Sequence, residues 1–315
     1  MHISVVIPVF NEEKSLDALY SELRGSLDSL PSVKYEIIFV DDGSRDAGGD
    51  KLKAISAKDG RVKIITLARN YGQTAAIVAG FDHASGDYIV TMDADLQNDP
   101  RDIPALLEKV NEGFDLVSGW RRERKDRLIS RRIPSWLANW IIRRATGVRL
   151  HDFGCTLKVY KKAFIKDIRL YGEMHRYIPV YVGRIGGKIG EVKVNHRSRQ
   201  YGASKNGIKR IAKVIFDLFT VKLLLGSSST SPLYFFGSWG LGGILLGLLC
   251  AFIALAQRVI SGSWAAGNYL LLLCVFFIIA GFQVIFMGLL AEINIRIYYE
   301  LGKRPIYSVS QKTNL

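Results

Sequence analysis

The sequence predicts an α/β protein: a mostly parallel β-sheet with helices on both faces, then amphipathic helices and a hairpin of two membrane-spanning helices. Three observations carry this expectation. Apolar strand-like runs alternate with helical patterns through the first 120 residues, an arginine-dense segment follows, and two long stretches near the C-terminal end hold no charge. Alternating strands and helices bury both faces of a parallel sheet, because each crossover lays a helix on it.

Residues 3–9, 35–41, 62–68, 88–93 and 115–120 read as strands, and 13–30, 47–58, 73–84 and 103–112 as helices. Ligands of such sheets bind beyond the carboxyl ends of the strands. Polar groups gather at those ends: Asn11 and Glu12 after the first strand, Asp41-Asp42-Gly43-Ser44 after the second, Asn70 after the third and Asp93-Ala94-Asp95 after the fourth. Four strand ends with hydrogen-bonding groups imply one shared cleft.

From residue 121 to 149 the cations Arg121, Arg122, Arg124, Lys125, Arg127, Arg131, Arg132, Arg143, Arg144 and Arg149 face only Glu123 and Asp126. Within this stretch Ile133, Trp136, Leu137, Trp140 and Ile141 fall at helical spacing, with Arg132, Ser135, Asn139 and Arg143 on another face. A basic amphipathic helix with two tryptophans over about 128–146 suits a lipid headgroup interface; an ordinary helix packed on the sheet has the same pattern. Residues 205–226 repeat it, with Ile211, Ile215 and Leu218 against Lys209 and Lys213.

No charge occurs in 223–257 or 259–291. Each stretch exceeds the roughly 20 apolar residues needed to cross the hydrocarbon core, and spans are expected at 233–257 and 268–291. Lys205, Lys209, Arg210, Lys213 and Lys222 precede the first, Arg296, Lys303 and Arg304 follow the second, and only Arg258 lies between. The positive-inside rule places both termini in the cytoplasm, with 292–315 as a cytoplasmic tail; no secretory signal is read at the start. Cys155, Cys250 and Cys274 lack metal-ligand spacing, so neither a zinc site nor a disulfide framework is expected. The formal charge of +14 also suits nucleic acid. The basic residues, however, cluster towards the spans and no recognition motif appears, so no nucleic-acid partner is expected.

Asp93-Ala94-Asp95-Leu96-Gln97 is the sharpest local signal. Two carboxylates two residues apart at a strand end offer oxygen ligands to a hard Mg²⁺ or Mn²⁺ that shares them with substrate phosphates. A solvated turn has the same spelling. At Asp41-Asp42-Gly43-Ser44 a carboxylate is placed to accept from a nucleobase or ribose, or else to cap a tight turn. No Gly-rich phosphate loop follows the first strand, which counts against nicotinamide and P-loop chemistry.

These motifs together resemble the inverting glycosyltransferases of GT-A (Rossmann-like) fold, and specifically the polyprenyl-phosphate glycosyltransferases like dolichol-phosphate-mannose synthase, in their bacterial two-span branch. The resemblance runs in order through Pro8-Val9-Phe10-Asn11-Glu12, Val40-Asp41-Asp42-Gly43-Ser44, Asn70-Tyr71-Gly72-Gln73, Met92-Asp93-Ala94-Asp95-Leu96-Gln97, His151-Asp152-Phe153-Gly154-Cys155, Gly172-Glu173-Met174-His175-Arg176-Tyr177 and Arg199-Gln200-Tyr201-Gly202-Ala203-Ser204-Lys205. It implies a catalytic domain over 1–204 that moves a sugar from a nucleotide-sugar, UDP-glucose first, onto polyprenyl phosphate. GDP-mannose, UDP-galacturonate, UDP-N-acetylhexosamine and UDP-aminoarabinose-type donors stay open, as does an inactive membrane scaffold of this fold. Asp93, Asp95 and Gln97 match the metal site, with Asp95 also catalytic. Pro8, Phe10, Glu12, Asp42, Asn70, Gln73, Asp93 and Arg121 match the nucleotide-sugar pocket, and Arg131, Ser135, Arg199, Ser204 and Lys205 the acceptor-phosphate site. Asp152 matches the position proposed as base. A phosphate monoester has its second pKa near ~6 and is largely ionised at neutral pH, so Asp152 is read as an orienting group or weak base. A homo-oligomer is expected among two-span relatives, permitted by Gly237, Gly240, Gly242, Gly243 and Gly247. Two spans make a poor sugar channel, so a separate flippase is expected downstream.

Overall fold

The computed structural model describes residues 1–31, 33–122, 133–166, 168, 170, 172, 174–198, 232–261, 269–301 and 306–315. Two compact units emerge, one of residues 1–221 with 305–315, the other of 222–304.

The first unit is built on β1 (His2–Val9), β2 (Lys34–Asp41), β3 (Val62–Leu67), β4 (Tyr88–Thr91), β5 (Leu116–Trp120), β6 (Lys158–Lys161), β7 (Ile189–Lys193) and β8 (Val309–Thr313). They form one sheet in the order β7-β5-β6-β4-β1-β2-β3-β8. Strands β1 to β4 are parallel neighbours, β5 is parallel to β7, and β6 and β8 run against their partners. The central strands are apolar on both faces, as a doubly covered sheet requires: Ile3, Val5, Val6, Ile7, Ile37, Ile38 and Phe39 are fully buried. Helices α1 (Leu16–Asp28), α2 (Gly48–Lys58), α3 (Gln73–His83) and α4 (Ile103–Asn111) follow β1 to β4 in turn. The predicted α/β class and its first five strands are found; β6, β7 and β8 are additions to it.

Between β5 and β6 lies α5 (Ile133–Thr146), and between β6 and β7 lie α6 (Lys162–Ile165) and α7 (Ile178–Arg184). In α5, Trp136 and Trp140 are 63% and 49% exposed while Ile142 and Asn139 are buried. Both tryptophans therefore lie on the outward face of α5, away from the core. The face read as polar turns inward at Asn139, which donates from Nδ2 to the carbonyl of His151 at 2.9 Å.

The last residues form the edge strand β8. Ala68 donates its N–H to the Ser308 carbonyl at 2.9 Å, Tyr307 donates to Asp82 at 2.8 Å, and the Asn314 amide reaches Ser56 and Val62. The C-terminal segment thus completes the sheet that the N-terminal strand begins. Residues 205–226, expected as a juxtamembrane helix, lie outside the described residues.

The second unit holds α8 (Pro232–Ser261) and α9 (Tyr269–Leu301). Both carry segments long and apolar enough to cross a membrane, Leu233–Ile260 and Tyr269–Asn294. Their contact runs through glycine. A Cβ on Gly240 would meet the Gly281 carbonyl and Ile285 Cγ1, each at 2.6 Å, and one on Gly247 would meet the Cys274 carbonyl at 3.0 Å. Gly240, Gly243 and Gly247 therefore serve packing within the chain, whereas Gly237 and Gly242 have nothing within 4 Å. Gly240→Val is expected to destabilise the hairpin by about 1–3 kcal/mol through overpacking, with Gly237→Val near neutral. Thermal unfolding of the two variants in detergent checks the pair.

Candidate active site

The carboxyl ends of β1 to β5 converge with the turn at 151–157. The loop after β1 is tied to the turn after β2. Asn11 N–H donates to Ser44 Oγ at 3.0 Å, Arg45 N–H donates to Asn11 Oδ1 at 2.8 Å, and Glu13 N–H to Asp46 Oδ2 at 3.0 Å. Asn11 takes a left-handed backbone (φ 55°) to make this link. Pro8, Phe10 and Glu12 flank it, all half-buried.

Asp41 and Asp42 divide the work of the second turn. Asp41 accepts from Ser44 N–H at 2.9 Å. Asp42 accepts from Tyr71 N–H at 2.7 Å and Gly72 N–H at 2.8 Å, one on each oxygen. Burial pushes the Asp42 carboxyl up, and these two N–H bonds pull it back. The sequence reading made Asp42 a nucleoside contact; the structure also gives it the duty of fixing the loop that carries exposed Asn70 and leads to Gln73. Gly43 makes the approach possible, since a Cβ there would lie 2.7 Å from the Arg69 carbonyl carbon, and its φ is +71°.

Gln73, first residue of α3, donates from Nε2 to Asp93 Oδ1 at 2.6 Å. Thr156 also bonds Asp93, and accepts from Asn98 Nδ2 at 2.9 Å. Asp95 is buried, accepts from Gln97 N–H at 3.1 Å and shares the site with Asp93. Loss of hydration, then the charge of Asp95, push the Asp93 carboxyl up to about 6. Two neighbouring carboxylates at a strand end are a donor set suited to a divalent cation, whose charge offsets their repulsion. Among the described residues no group of three or more His, Cys, Asp or Glu side chains is placed to hold a metal. The pair fits an ion that takes one or two carboxylates and completes its shell with water and phosphate, as Mg²⁺ does. Gln97, matched to the metal site, is tied to the segment after β7: its Nε2 reaches the Arg197 carbonyl at 3.4 Å and its carbonyl accepts from Arg197 N–H at 3.0 Å.

Arg121, just past β5, clamps Asp152 with two bonds, Nε to Oδ2 at 2.7 Å and Nη2 to Oδ1 at 3.1 Å. Burial works against the Arg121 charge, and the adjacent carboxylate more than offsets it, leaving the guanidinium above the usual arginine range. Arg121 also lies within electrostatic reach of Asp93. The arginine that the resemblance matched to the nucleotide pocket and the residue it matched to the base are therefore one unit.

Sequence reasoning gave no role to three residues that brace the site, two of them at the Arg121–Asp152 unit and one beside Gln73. Lys158, fully enclosed at the start of β6, donates to the carbonyls of Phe153 and Cys155; burial pushes its ammonium down. Glu191 on β7 receives the N–H groups of His151 and Asp152. His175 was quoted within a motif without a role. It is buried, with Nδ1 2.8 Å from Thr74 Oγ1, beside Gln73. Arg131, Arg199, Ser204 and Lys205 lie outside the described residues; Ser135 sits in α5 by its backbone alone.

With this geometry in hand, comparison with known proteins decides the family. Residues 4–169 match Glycosyl transferase family 2. The chain belongs to that family. It is 42% identical over 315 residues to dodecaprenyl-phosphate galacturonate synthase of Rhizobium johnstonii, covering 99% of this chain and 93% of that protein. It is 39% identical over 312 residues to undecaprenyl-phosphate 4-deoxy-4-formamido-L-arabinose transferase of Shewanella sediminis, covering 98% and 91%. The resemblance to polyprenyl-phosphate glycosyltransferases drawn from the motifs therefore holds, and the chain is a glycosyltransferase. Glucosyl-3-phosphoglycerate synthase from Mycobacterium tuberculosis, solved with Mn²⁺, UDP and phosphoglyceric acid, superposes with a TM-score of 0.55 at 18% identity over 73% of this chain and 80% of that one. That likeness shows the GT-A fold.

Asp95→Ala is expected to reduce transfer by at least about 10²-fold while leaving folding and membrane insertion intact. Steady-state turnover together with thermal unfolding of the same preparation checks it.

Proposed function

We propose that this glycosyltransferase moves a sugar from a nucleotide-sugar onto the phosphate of a polyprenyl phosphate, with inversion, at the cytoplasmic face of the membrane. The observation that carries the reading is one cluster at the strand ends. Buried Asp95, half-buried Asp93 and a carboxylate-clamped arginine gather there, in a chain that also holds two membrane-length helices.

In an inverting transfer the acceptor phosphate oxygen attacks the anomeric carbon as the bond to the diphosphate breaks. The acceptor is already largely anionic, so the site has to place it more than deprotonate it. Asp152 is occupied with holding Arg121, which supports an orienting role. Arg121 in turn offers a planar cation where two anionic reactants meet. Asp93 and Asp95 would hold Mg²⁺ or Mn²⁺, which neutralises charge on the leaving diphosphate. Asp42 and Gln73 shape the donor side, with Pro8, Phe10, Glu12 and Asn70 around the nucleoside. Arg131, Ser135, Arg199, Ser204 and Lys205 remain the proposed acceptor-phosphate residues.

Trp136 and Trp140, exposed beside Arg144, suit the headgroup layer. The pairing of β8 with β3 supports a two-span topology with both termini on one side, because two crossings return the chain to the sheet it left. Basic residues before and after the spans favour the cytoplasm for that side.

For the donor, the names of the two relatives favour galacturonate or a formamido-arabinose over the glucose suggested by two-span architecture. Purified protein incubated with undecaprenyl phosphate, Mg²⁺ or Mn²⁺ and each nucleotide-sugar in turn is expected to yield one dominant glycosylated lipid phosphate, with the galacturonate donor leading. Mass spectrometry of the lipid fraction reads the result; absence of any glycosylated lipid across the donor set, with intact protein, counts against the reading.

A further inference from the structure

We propose that Glu191 is a positioning residue for the transfer, acting through the 151–152 turn to hold Asp152 on Arg121. The inference rests on the reading that places Asp152 and Arg121 in the reactive cleft, and it concerns a residue outside every motif of the sequence reading.

Glu191 sits on β7, paired in register with Ser118 of β5, two residues before Trp120. Its carboxylate is 12% exposed and gathers three donors from one turn. His151 N–H reaches Oε1 at 2.9 Å and Oε2 at 3.1 Å, Asp152 N–H reaches Oε1 at 3.1 Å, and His151 Nδ1 lies 2.7 Å from Oε2. A carboxylate accepting consecutive backbone N–H groups fixes the direction in which the following side chain leaves the chain. Here that side chain is Asp152, whose two oxygens face Nε and Nη2 of Arg121.

The anchor is braced on its other sides. The His151 ring stacks on Trp120, centroids 4.2 Å apart and planes 17° apart, so the ring cannot swing away from Glu191 without losing that contact. Asn139 of α5 donates to the His151 carbonyl, and Lys158 holds the carbonyls of Phe153 and Cys155 beyond. Glu191 grips the backbone of Asp152 itself, and it does so from the strand next to the one that delivers Arg121. Both halves of the Arg121–Asp152 clamp are thereby referenced to one strand pair.

Glu191→Gln keeps the size of the side chain but puts an NH₂ group where one oxygen met donors. The expected result is a kcat lower by about 10- to 100-fold, with KM for nucleotide-sugar and for polyprenyl phosphate each within about threefold of wild type. Nucleotide binding by calorimetry stays unchanged. In an Asp152→Asn background the same substitution is expected to cost less than about threefold, because residues acting as a unit are not additive. Glu191→Asp, which keeps both oxygens on a shorter arm, should fall between and serves if the glutamine variant fails to fold. Wild-type kcat in a folded Glu191→Gln enzyme whose Asp152→Asn counterpart is impaired overturns this inference alone, as does a full multiplicative loss in the double variant or a joint rise in both KM values with loss of nucleotide binding. Wild-type kcat in Asp152→Asn overturns the inference and the reading of Asp152 beneath it.

Discussion

The buried ion pair between Arg121 and Asp152 is the contact on which the rest of the cleft depends. A charge pair taken out of water is a weak source of stability, because desolvation takes back most of the attraction. Its persistence beneath the strand ends, 15% and 3% exposed, has a better account in geometry. It joins the end of β5 to the turn before β6, and those segments flank the Asp93–Asp95 pair on β4's side of the sheet. A guanidinium held in a fixed plane is a preorganised partner for phosphate, and preorganisation is where a site that gathers anions gains most of its effect.

Charge balance explains the neighbouring choices. Asp93 and Asp95 bring two neighbouring carboxylates; Arg121 and Lys158 bring two cations, both electrostatically coupled to Asp93, and Asp152 balances Arg121 from its other side. The opposite charges nearly balance but are laid out unevenly, so the arrangement suits a dication on the aspartate side and anionic phosphate on the arginine side. Asp42 contributes differently. Its charge is spent on the Tyr71 and Gly72 N–H groups, so the loop before α3, and Gln73 with it, arrives at Asp93 in one position.

Much of this was legible in the sequence, and the rest was hidden for identifiable reasons. Strands β1 to β4 announce themselves because each holds an apolar run, and the acidic pairs stand where the runs of β2 and β4 stop. Strand β6 is four residues bounded by Lys158 and Lys161, and a lysine at a strand end reads as solvent-facing unless its carbonyl partners are known. Strand β8 reads Val-Ser-Gln-Lys-Thr, a polar edge with no apolar face to mark it. Glu191 carries no local signature, since its partners lie 39 and 40 residues earlier in the chain. Asn139 was placed on the right helix and on a different face from the tryptophans, but its inward direction was not legible, because a single buried amide bonded to a carbonyl is indistinguishable by periodicity from a solvated one. The tryptophans at 136 and 140 were the clearer guide to the outward face.

The proposed transfer centres on a divalent cation that Asp93 and Asp95 would carry and share with the donor diphosphate. Crystals grown with Mn²⁺ and UDP test this most directly through the anomalous scattering of manganese. The predicted result is a single strong peak about 2.1 Å from carboxylate oxygens of Asp95, with or without Asp93, and in contact with diphosphate density. A fully occupied nucleotide whose diphosphate lies away from both aspartates, or a manganese peak bound elsewhere, would contradict it.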